Sequence, residues 1–414
     1  MPYDVQAVRA QFPALKETVD AKPVIYFDNP AGTQVPQKVI DAVNDVLMHY
    51  NVNTEAPNTA SRRSTQLARD ARQGAADLLG ADPNEIAFGN NMTSMAVLLS
   101  RSLVHEIKTG DEIVVSHMEH DANVGPWVLM AEEAGATVRW IDIDPDTYAI
   151  DVENAKEKIN ANTKVVAVSY AGNGTGSIND IASIIDLAKK QGAWTFIDAV
   201  QYAPHGLMDV KALDCDFLSC SAYKFYGTHV GILYGKRDLM ESLRAYTVRP
   251  SLKKLPSRWE PGTKNYEGLA GMLAAIDYLA EMGVTYGGAS PGADRREKLK
   301  SAWPVIIDHE QQLAGRLVAG LESIPGVKVY GITETDDMNK RVATVSFRKD
   351  GLTPLQLGEA LGTEEIHCRC GDYLAVALID RLGLKDTGGL TRLGPVHYNT
   401  FEEVDRAVEL VERA

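Results

Sequence analysis

The sequence predicts an α/β protein with a mainly parallel sheet, helices on both of its faces and a smaller α+β domain. Between about residues 85 and 235, short β-rich segments alternate with segments of helical periodicity. The β segments are almost continuously apolar, which is typical of parallel strands that are buried on both faces. After about residue 268 this alternation ends, and the pattern changes to long helices and short strands.

Seven β segments make up the predicted large sheet. They are EIAFG (85–89), EIVVS (112–116), TVRWIDI (137–143), KVVAVSY (164–170), WTFIDAV (194–200), FLSCSA (217–222) and GILYG (231–235). The first five are separated by segments that are mostly helical in pattern, such as 94–107 and 181–192. The last two have no helix between them, so they could form an antiparallel pair.

The region after residue 268 predicts the smaller domain. Its segments are a connecting helix (268–283), a long helix (291–323), strands at 327–331 and 343–347, helices near 354–361 and 374–382, and a last helix (401–413). The first twenty or so residues are expected to pack on this part. We therefore predict a large domain at 23–280 and a small domain formed by 1–22 with 281–414.

Composition and charge exclude several classes of protein. The chain has 414 residues and a formal net charge of −14, which argues against non-specific binding to nucleic acid or to anionic membranes. No apolar run approaches the roughly 20 residues of a membrane helix, and the N-terminus lacks a signal pattern. Four cysteines do not make a disulfide framework, so we expect a cytoplasmic protein with Cys215 and Cys220 buried.

An aspartate and a lysine follow successive strands of the predicted sheet. Asp198 lies at the end of WTFIDAV, and Lys224 follows FLSCSA between two aromatic residues. Each residue alone has a structural interpretation, as a helix cap or as a surface lysine beside aromatic side chains. Together they fit pyridoxal phosphate, which needs a lysine for its Schiff base and an acid at its pyridine nitrogen. Apolar surroundings would also lower the pKa of the lysine and free its amine as a nucleophile.

Three other strand ends offer groups that suit the same cofactor. Residues 91–94 stand between a strand and a helix, where amides and a hydroxyl could bind a phosphate, although a simple N-cap also explains them. His120 in HMEHDANV could stack on the pyridine ring or be a polar surface group. Asn173 in SYAGNGTG could bond the 3-oxygen of the ring or simply form a turn. Suitable groups at five strand ends together favour a cofactor site.

At these residues the chain resembles class V, fold-type I enzymes that depend on pyridoxal phosphate, most closely the cysteine desulfurase-like group. The resemblance runs from YFDNPAGTQVP (26–36) to HYNTFEEVDRAVELV (397–411), which is nearly the whole chain. The other matching stretches are MEHDANVGPW (118–127), IDAVQYAPH (197–205), LDCDFLSCSAYKFYG (213–227), WEPGTKNYEG (259–268) and LTRLGPVHYNTFEEVD (390–405).

The resemblance implies a role for each matching residue. Lys224 would carry pyridoxal 5′-phosphate, Asp198 would pair with the pyridine nitrogen, and His120 would stack on the ring. Arg392 would bind the carboxylate of an amino-acid substrate, for which a planar guanidinium is well suited. The other implied contacts are Gln201 and Asn173 at or beside the 3-oxygen, Asn173 also at the substrate, and Met92, Thr93 and Ser221 at the phosphate.

The resemblance also implies a homodimer. Members of the family are typically dimeric, and a Gly-Thr pair from the other subunit reaches the phosphate. Gly262 and Thr263 match that pair, so Thr263 of the partner subunit is expected at the site. The family usually has a histidine directly before the lysine, and this chain has Tyr223, whose hydroxyl could still reach the phosphate.

The main departure from the family lies in IHCRCGDYLA (366–375). Group II cysteine desulfurases carry Arg-x-Gly-His-His-Cys there, and the cysteine attacks the sulfur of the substrate. When Arg369 and Gly371 are aligned with that pattern, Leu374 falls where the nucleophile stands, and leucine cannot accept sulfur. Cys370 and Cys368 lie upstream of that position.

The expected reaction is desulfuration of L-cysteine to L-alanine, with the sulfur held on Cys370 or Cys368 and passed to an acceptor protein. If neither thiol reaches the substrate, the reactions of a C–S lyase, an epimerase or an aminotransferase stay open. A non-catalytic scaffold for sulfur transfer is opposed by the intact Asp198, Lys224 and Arg392. We expect no metal, because three candidate ligands crowd into the four residues of HCRC.

Overall fold

The computed structural model describes residues 1–414, apart from the side chain of Lys253. The strands are β1 (Thr18–Val19), β2 (Lys22–Pro23), β3 (Ile25–Tyr26), β4 (Ile86–Gly89), β5 (Glu112–Ser116), β6 (Thr137–Ile141), β7 (Thr163–Ser169), β8 (Trp194–Asp198), β9 (Phe217–Ser221), β10 (Gly231–Gly235), β11 (Val327–Tyr330), β12 (Val345–Lys349), β13 (Ile366–His367), β14 (Arg369–Gly371) and β15 (Leu390–Leu393). The α-helices are α1 (Val5–Arg9), α2 (Gln37–His49), α3 (Thr59–Leu79), α4 (Met92–Leu103), α5 (Gly125–Ala134), α6 (Val152–Lys158), α7 (Ile181–Lys190), α8 (Val210–Leu213), α9 (Arg237–Ser242), α10 (Tyr266–Thr285), α11 (Arg295–Glu322), α12 (Pro354–Gly362), α13 (Val376–Arg381) and α14 (Phe401–Arg413).

Seven strands form the large sheet, in the order β4-β10-β9-β8-β7-β5-β6. The five strands from β9 to β6 are parallel to their neighbours, whereas β10 is antiparallel to both β9 and β4. This confirms the predicted mainly parallel sheet of seven strands. It also confirms the antiparallel pair expected for the last two segments.

Apolar side chains cover both faces of this sheet. In β5, Ile113 and Val115 belong to one hydrophobic core and Val114 to another. In β8, Phe196 and Ile197 divide between the same two cores. Because successive side chains of a strand point to opposite faces, helices must lie on both sides of the sheet. Each of these fully buried side chains contributes about 1.5–3 kcal/mol to folding.

A smaller antiparallel sheet lies in the C-terminal part, in the order β11-β12-β15-β14. One face packs on α11, α12 and α14, through a core that includes Leu313, Phe347, Leu357, Leu393 and Val404. The strands β13, β14 and β15 were not among the predicted elements, since they are short and rich in polar residues. No helix that the structure describes is long and apolar enough to cross a membrane.

The N-terminal residues contact the segment that leads into α14. The Tyr3 hydroxyl donates to the His397 carbonyl at 2.5 Å. Arg9 donates to the Tyr398 carbonyl at 2.8 Å and forms a 2.8 Å ion pair with Glu403. These contacts agree with the expected packing of the N-terminus, while the division into two domains stays a prediction.

Arg341 connects the large sheet to the C-terminal part. Its buried guanidinium donates to the carbonyls of Ile332, Thr175 (3.2 Å) and Thr344 (2.6 Å). Thr175 lies in the loop after β7, and the other two acceptors lie in the C-terminal part. Gly176 has a φ of +79°, and a Cβ atom there would overlap the Thr344 carbonyl. The two segments are therefore in close backbone contact.

Candidate active site

The carboxyl ends of β5, β7, β8 and β9 open onto one cavity of about 400 Å³. Ligands of open α/β sheets bind at this edge, because the loops that follow parallel strands converge there. Eleven predicted site residues line the cavity: Met92, Thr93, His120, Asn173, Asp198, Gln201, Ser221, Tyr223, Lys224, Cys370 and Arg392. Thr263 is exposed and lies outside the lining of this cavity.

Lys224 reaches the cavity from a short 3-10 helix directly after β9. Its amine donates to the carbonyls of Pro30 and Ala31, the second at 3.0 Å. Burial, followed by the positive charge of Arg392, lowers the pKa of Lys224 to about 7. A substantial fraction of the amine is therefore neutral near pH 7, which is the form that acts as a nucleophile or base.

Asp198 ends β8 and is 4% exposed. Its carboxylate accepts a hydrogen bond from the backbone N–H of Val200 at 2.8 Å. Burial raises the pKa of Asp198 to about 7, against the opposing effects of that hydrogen bond and of Lys224. A cationic group bound beside it would favour the ionised carboxylate, because opposite charges lower the pKa of an acid.

His120 follows β5 and has a neutral ring. Its Nδ1 accepts a hydrogen bond from the Ala122 N–H at 3.0 Å, so the proton lies on Nε2. Burial, followed by the positive charges of Lys224 and Arg392, lowers the pKa of His120 to about 4. An uncharged ring at this position can stack on a flat aromatic ligand.

The N-terminus of α4 supplies polar groups at another side of the cavity. Asn91 caps this twelve-residue helix by accepting from the Ser94 N–H at 2.9 Å. The Met92 N–H donates to the Ser221 hydroxyl at 2.9 Å, and Thr93 follows with an exposed side chain. Backbone N–H groups and the helix dipole make this end of the cavity favourable for an anion.

Two arginines and Asp28 form a charged group at the C-terminal side of the cavity. Arg392 is 3% exposed, donates to the Asn173 carbonyl at 2.8 Å and lies 3.5 Å from the Asp28 carboxylate. Its Nε has no hydrogen-bond partner among the side chains that the structure describes. Arg369 donates to Asp28 at 3.0 and 2.6 Å. A buried cation with an unpaired donor can bind a carboxylate.

Asp28 was missed as a site residue. It lies in YFDNPAG, a stretch that carries the family resemblance, but an aspartate after a two-residue strand has no distinctive pattern. Only the folded structure shows that Asp28 pairs with Arg369 and Arg392, which lie near the other end of the chain. Tyr373 was missed in the same way, and its ring lies 4.4 Å from the Arg392 guanidinium.

The backbone of residues 372–375 is strained and held by contacts with two other loops. Tyr373 and Leu374 have φ angles of 55° and 59°, in the left-handed region that costs a non-glycine residue about 1–3 kcal/mol. The Tyr373 carbonyl accepts from the Asn173 side chain at 3.0 Å, and the Leu374 carbonyl accepts from the Asp121 N–H at 2.6 Å. The Leu374 side chain is 56% exposed and lines the cavity.

The sulfur atoms of Cys368 and Cys370 lie beside Gly358 of α12. The pairing of β14 with β15 sets Arg369 opposite Arg392 and Cys370 opposite Thr391. Because side chains alternate along a strand, Cys370 faces away from the arginines. A Cβ atom on Gly358 of α12 would overlap the Cys370 sulfur. Cys370 thus lines the cavity while its sulfur lies against α12, and Cys368 is not part of the lining.

Comparisons with known proteins support a single family. The model of a family described as aminotransferase class-V matches residues 25–289 and 301–407. A cysteine desulfurase of Haloferax volcanii is 31% identical, over 100% of this chain and 97% of the relative. The aminotransferase-like protein FGM3 of Gibberella zeae is 32% identical, over 99% of this chain and 98% of the relative.

Other relatives are longer than this chain. A probable cysteine desulfurase 1 of Mycobacterium leprae is 33% identical over 99% of this chain, and the chain spans 65% of that relative's length. The chain spans 64% of the Synechococcus elongatus cysteine desulfurase and 58% of a probable cysteine desulfurase of Mycolicibacterium paratuberculosis.

Two solved structures share the fold over the whole chain. The apo cysteine desulfurase from Thermococcus onnurineus NA1 has a TM-score of 0.88 and 28% identity, covering 100% of this chain and 99% of that one. The S-sulfonic acid form of the cysteine desulfurase CsdA from Escherichia coli has a TM-score of 0.84 and 27% identity, covering 100% and 98%. The fold is that of fold-type I enzymes that depend on pyridoxal phosphate. On the strength of the sequence match and the shared fold, the chain belongs to the aminotransferase class-V family.

Proposed function

We propose that the chain binds pyridoxal 5′-phosphate in this cavity and cleaves the carbon–sulfur bond of a cysteine-like amino acid, as cysteine desulfurases do. The observation that carries the proposal is that Lys224, Asp198 and Arg392 line one cavity. Desulfurase relatives with about 30% identity over nearly their whole length support the same reaction. The products from L-cysteine would be L-alanine and sulfur on an enzyme thiol.

The volume of the cavity and the groups that line it suit pyridoxal phosphate. Its volume of about 400 Å³ falls in the usual range of about 300–1,000 Å³ for small-molecule sites. The N-terminus of α4 and Ser221 suit the phosphate, the neutral ring of His120 suits stacking, and Asp198 suits the pyridine nitrogen. When bound, pyridoxal phosphate supplies an electron sink for the bond that breaks at the substrate α-carbon.

The chain's own groups can bind and orient an amino acid. Arg392 has an unpaired Nε for the substrate carboxylate, and the side-chain oxygen of Asn173 is also unpaired among the described side chains. Lys224, with its pKa lowered to about 7, can take a proton from the α-carbon and return it at neutral pH. Gln201 is held by a 2.8 Å hydrogen bond to Thr344, which fixes it at the cavity wall.

A homodimer is part of the proposal. Thr263 is exposed and lies outside the cavity of its own chain, which supports the expectation that Thr263 of the partner subunit completes the phosphate site. Light scattering of the purified protein should give the mass of two chains. A monomer with full activity would contradict this part.

Leu374 favours a second candidate, a C–S lyase that needs no enzyme thiol. Its side chain lines the cavity at the aligned position of the desulfurase nucleophile, and the Cys370 sulfur lies against α12 instead. Elimination would use the same groups for the cofactor and the carboxylate. It differs in its products, because cysteine would give pyruvate, ammonia and sulfide rather than alanine.

Product analysis tests both candidates. The loaded enzyme is incubated with L-cysteine, cysteine sulfinate and a panel of other amino acids, and alanine, pyruvate, sulfide, keto acids and D-amino acids are measured. We expect alanine from cysteine, with a loss of alanine in Cys370→Ser but not in the matched control Cys215→Ala. Undiminished alanine in a variant with both Cys368→Ser and Cys370→Ser rules out the thiol step. A set of products with no broken carbon–sulfur bond overturns the proposed function.

A further inference from the structure

A second cavity, of about 770 Å³ and open to solvent, lies between α12 and the segment 366–370. We call it the α12 groove. Both Cys368 and Cys370 line it, and both are partly exposed. The proposed function uses at most one of these thiols, and it uses it at the Lys224 cavity. The position of both sulfur atoms at the groove therefore has no explanation in the amino-acid reaction.

The two sulfur atoms occupy one niche on the surface of α12. A Cβ atom on Gly358 would overlap the Cys370 sulfur and would lie 3.6 Å from the Cys368 sulfur. The absence of a side chain at Gly358 is thus what makes room for the pair. Extended backbone advances about 6.6 Å over two residues. This is near the upper end of the range of about 4.4–6.8 Å between the Cα atoms of a disulfide.

The two thiols have different acidities, which suits a division of roles. Hydrogen bonding from the Cys368 thiol, aided by the Thr391 hydroxyl and the Gly358 N–H, lowers the pKa of Cys370. The same interaction and burial raise the pKa of Cys368. Since the thiolate is the nucleophile in disulfide exchange, Cys370 is the better attacking group, and Cys368 stays protonated as its hydrogen-bond donor.

We propose that Cys368 and Cys370 form a redox-active dithiol that reduces small-molecule disulfides in the α12 groove. The Cys370 thiolate attacks one sulfur of the bound disulfide, whose S–S bond breaks and releases one thiol. Cys368 then gives up its proton and attacks the Cys370 sulfur of the mixed disulfide, which releases the second thiol. The small disulfide is reduced to two thiols, and the two cysteines are oxidised to one disulfide.

The disulfide would draw together the backbone on both sides of Arg369. Extended backbone places the two Cα atoms near the upper end of the range for a disulfide, and the Cβ atoms must approach to about 3.5–4.5 Å. Arg369 lies between the two cysteines and is bonded to Asp28 at the mouth of the Lys224 cavity. Oxidation would therefore also disturb the charged group beside the proposed substrate site.

The reaction of the full-length, cofactor-loaded protein with oxidised glutathione tests the proposal. Free thiols are titrated and the intact mass is measured over time. We expect the wild type to lose two free thiols and to keep no glutathione. Cys368→Ser should retain one glutathione on Cys370, because nothing can resolve the mixed disulfide. Cys370→Ser should form no intramolecular disulfide, so any glutathione that reacts with Cys368 should stay attached.

Three outcomes would overturn the proposal. One is a wild-type protein that keeps glutathione on Cys370 while Cys368 stays free. Another is a Cys368→Ser variant that keeps no glutathione on Cys370. The third is a reaction with oxidised glutathione that stops when amino acids are left out, because the exchange needs no amino acid. The matched control is Cys215→Ala, which removes a fully buried thiol and should leave the reaction unchanged.

Discussion

The two sides of the Lys224 cavity are built differently. At the sheet side, Asp198 and Ser221 end buried parallel strands and are 4% and 2% exposed. At the loop side, Tyr373 and Leu374 have consecutive left-handed backbone angles, and Leu374 is 56% exposed. In the resemblance to the family, the sheet side departs from the usual pattern at Tyr223, while the loop side has Leu374 at the position of the nucleophilic cysteine. Regular, buried strand ends carry the groups proposed for the cofactor, whereas the residue aligned with the desulfurase nucleophile lies on a strained, exposed segment that tolerates change.

The largest loss of activity should come from a substitution on the sheet side of the cavity. Lys224→Ala should abolish both the visible absorbance of bound cofactor and all turnover, because no other lysine lines the cavity among the residues that the structure describes. Absorbance after gel filtration measures cofactor retention directly. Lys211→Ala, which removes a surface lysine paired with Asp82, is the matched control and should keep both properties. Retention of the absorbance in Lys224→Ala would show that the sheet side does not hold the cofactor.

Asp198→Asn should lower kcat by about a hundredfold or more, since preorganised charges of this kind contribute about 10²–10³ to rates. The amide keeps the shape of the carboxylate and can still accept the Val200 hydrogen bond, so the fold should survive. Steady-state kinetics together with cofactor content separate a loss of chemistry from a loss of binding. A kcat within twofold of the wild type would contradict the role of the charge.

The two arginines allow a sharper comparison within the loop side. Arg392→Lys should raise KM about ten- to a hundredfold, because a hydrogen bond to a charged group is worth about 1.5–3 kcal/mol and lysine lacks the planar fork. Arg369→Lys, at a half-exposed position, should raise KM far less. Measured KM values for both variants with the same amino acid decide the point. Equal effects would mean that the buried position of Arg392 has no special part in binding.

The smallest expected effect is the change of the cofactor-uptake rate with pH. In the cofactor-free protein, the rate of cofactor uptake should rise about tenfold from pH 6 to pH 8 and then level off. The reason is that the pKa of Lys224 is lowered to about 7, and only the neutral amine reacts. Stopped-flow absorbance at several pH values measures the midpoint. Arg392→Gln, which removes a neighbouring positive charge, should move that midpoint upwards; a rate that keeps climbing steeply above pH 8 in the wild type would refute the lowered pKa.

The large sheet could be predicted from the sequence because its strands are short apolar runs separated by helical patterns. The pattern at 268–283 likewise predicted α10, and that at 401–413 predicted α14. The helices α2 and α3 were not predicted. Most of α3 is polar and its core-facing residues are mainly small, so it has few of the large apolar residues by which a core-facing helix is recognised.

The composition of the cavity could be predicted, but the direction of the thiols could not. Eleven residues proposed from motifs line the cavity. Nine of them end or follow strands of the large sheet, whereas Cys370 and Arg392 lie on β14 and β15 of the smaller sheet. The orientation of Cys370 depends on the register of β14 against β15. That register is set by contacts between residues far apart in sequence, and a one-residue shift would reverse every side chain. A three-residue strand carries no pattern from which such a register can be inferred.

Arg341 restricts movement of the loop after β7 relative to the C-terminal part. Its guanidinium is buried without a carboxylate partner among its hydrogen bonds and depends on backbone carbonyls from both sides of the contact. Sliding the loop after β7 away from the C-terminal part would remove the Thr175 carbonyl from this buried cation, at a cost of about 1.5–3 kcal/mol. This contact therefore opposes separation of the loop after β7 from the C-terminal part. We expect the cavity mouth to widen by bending of residues 371–375 instead.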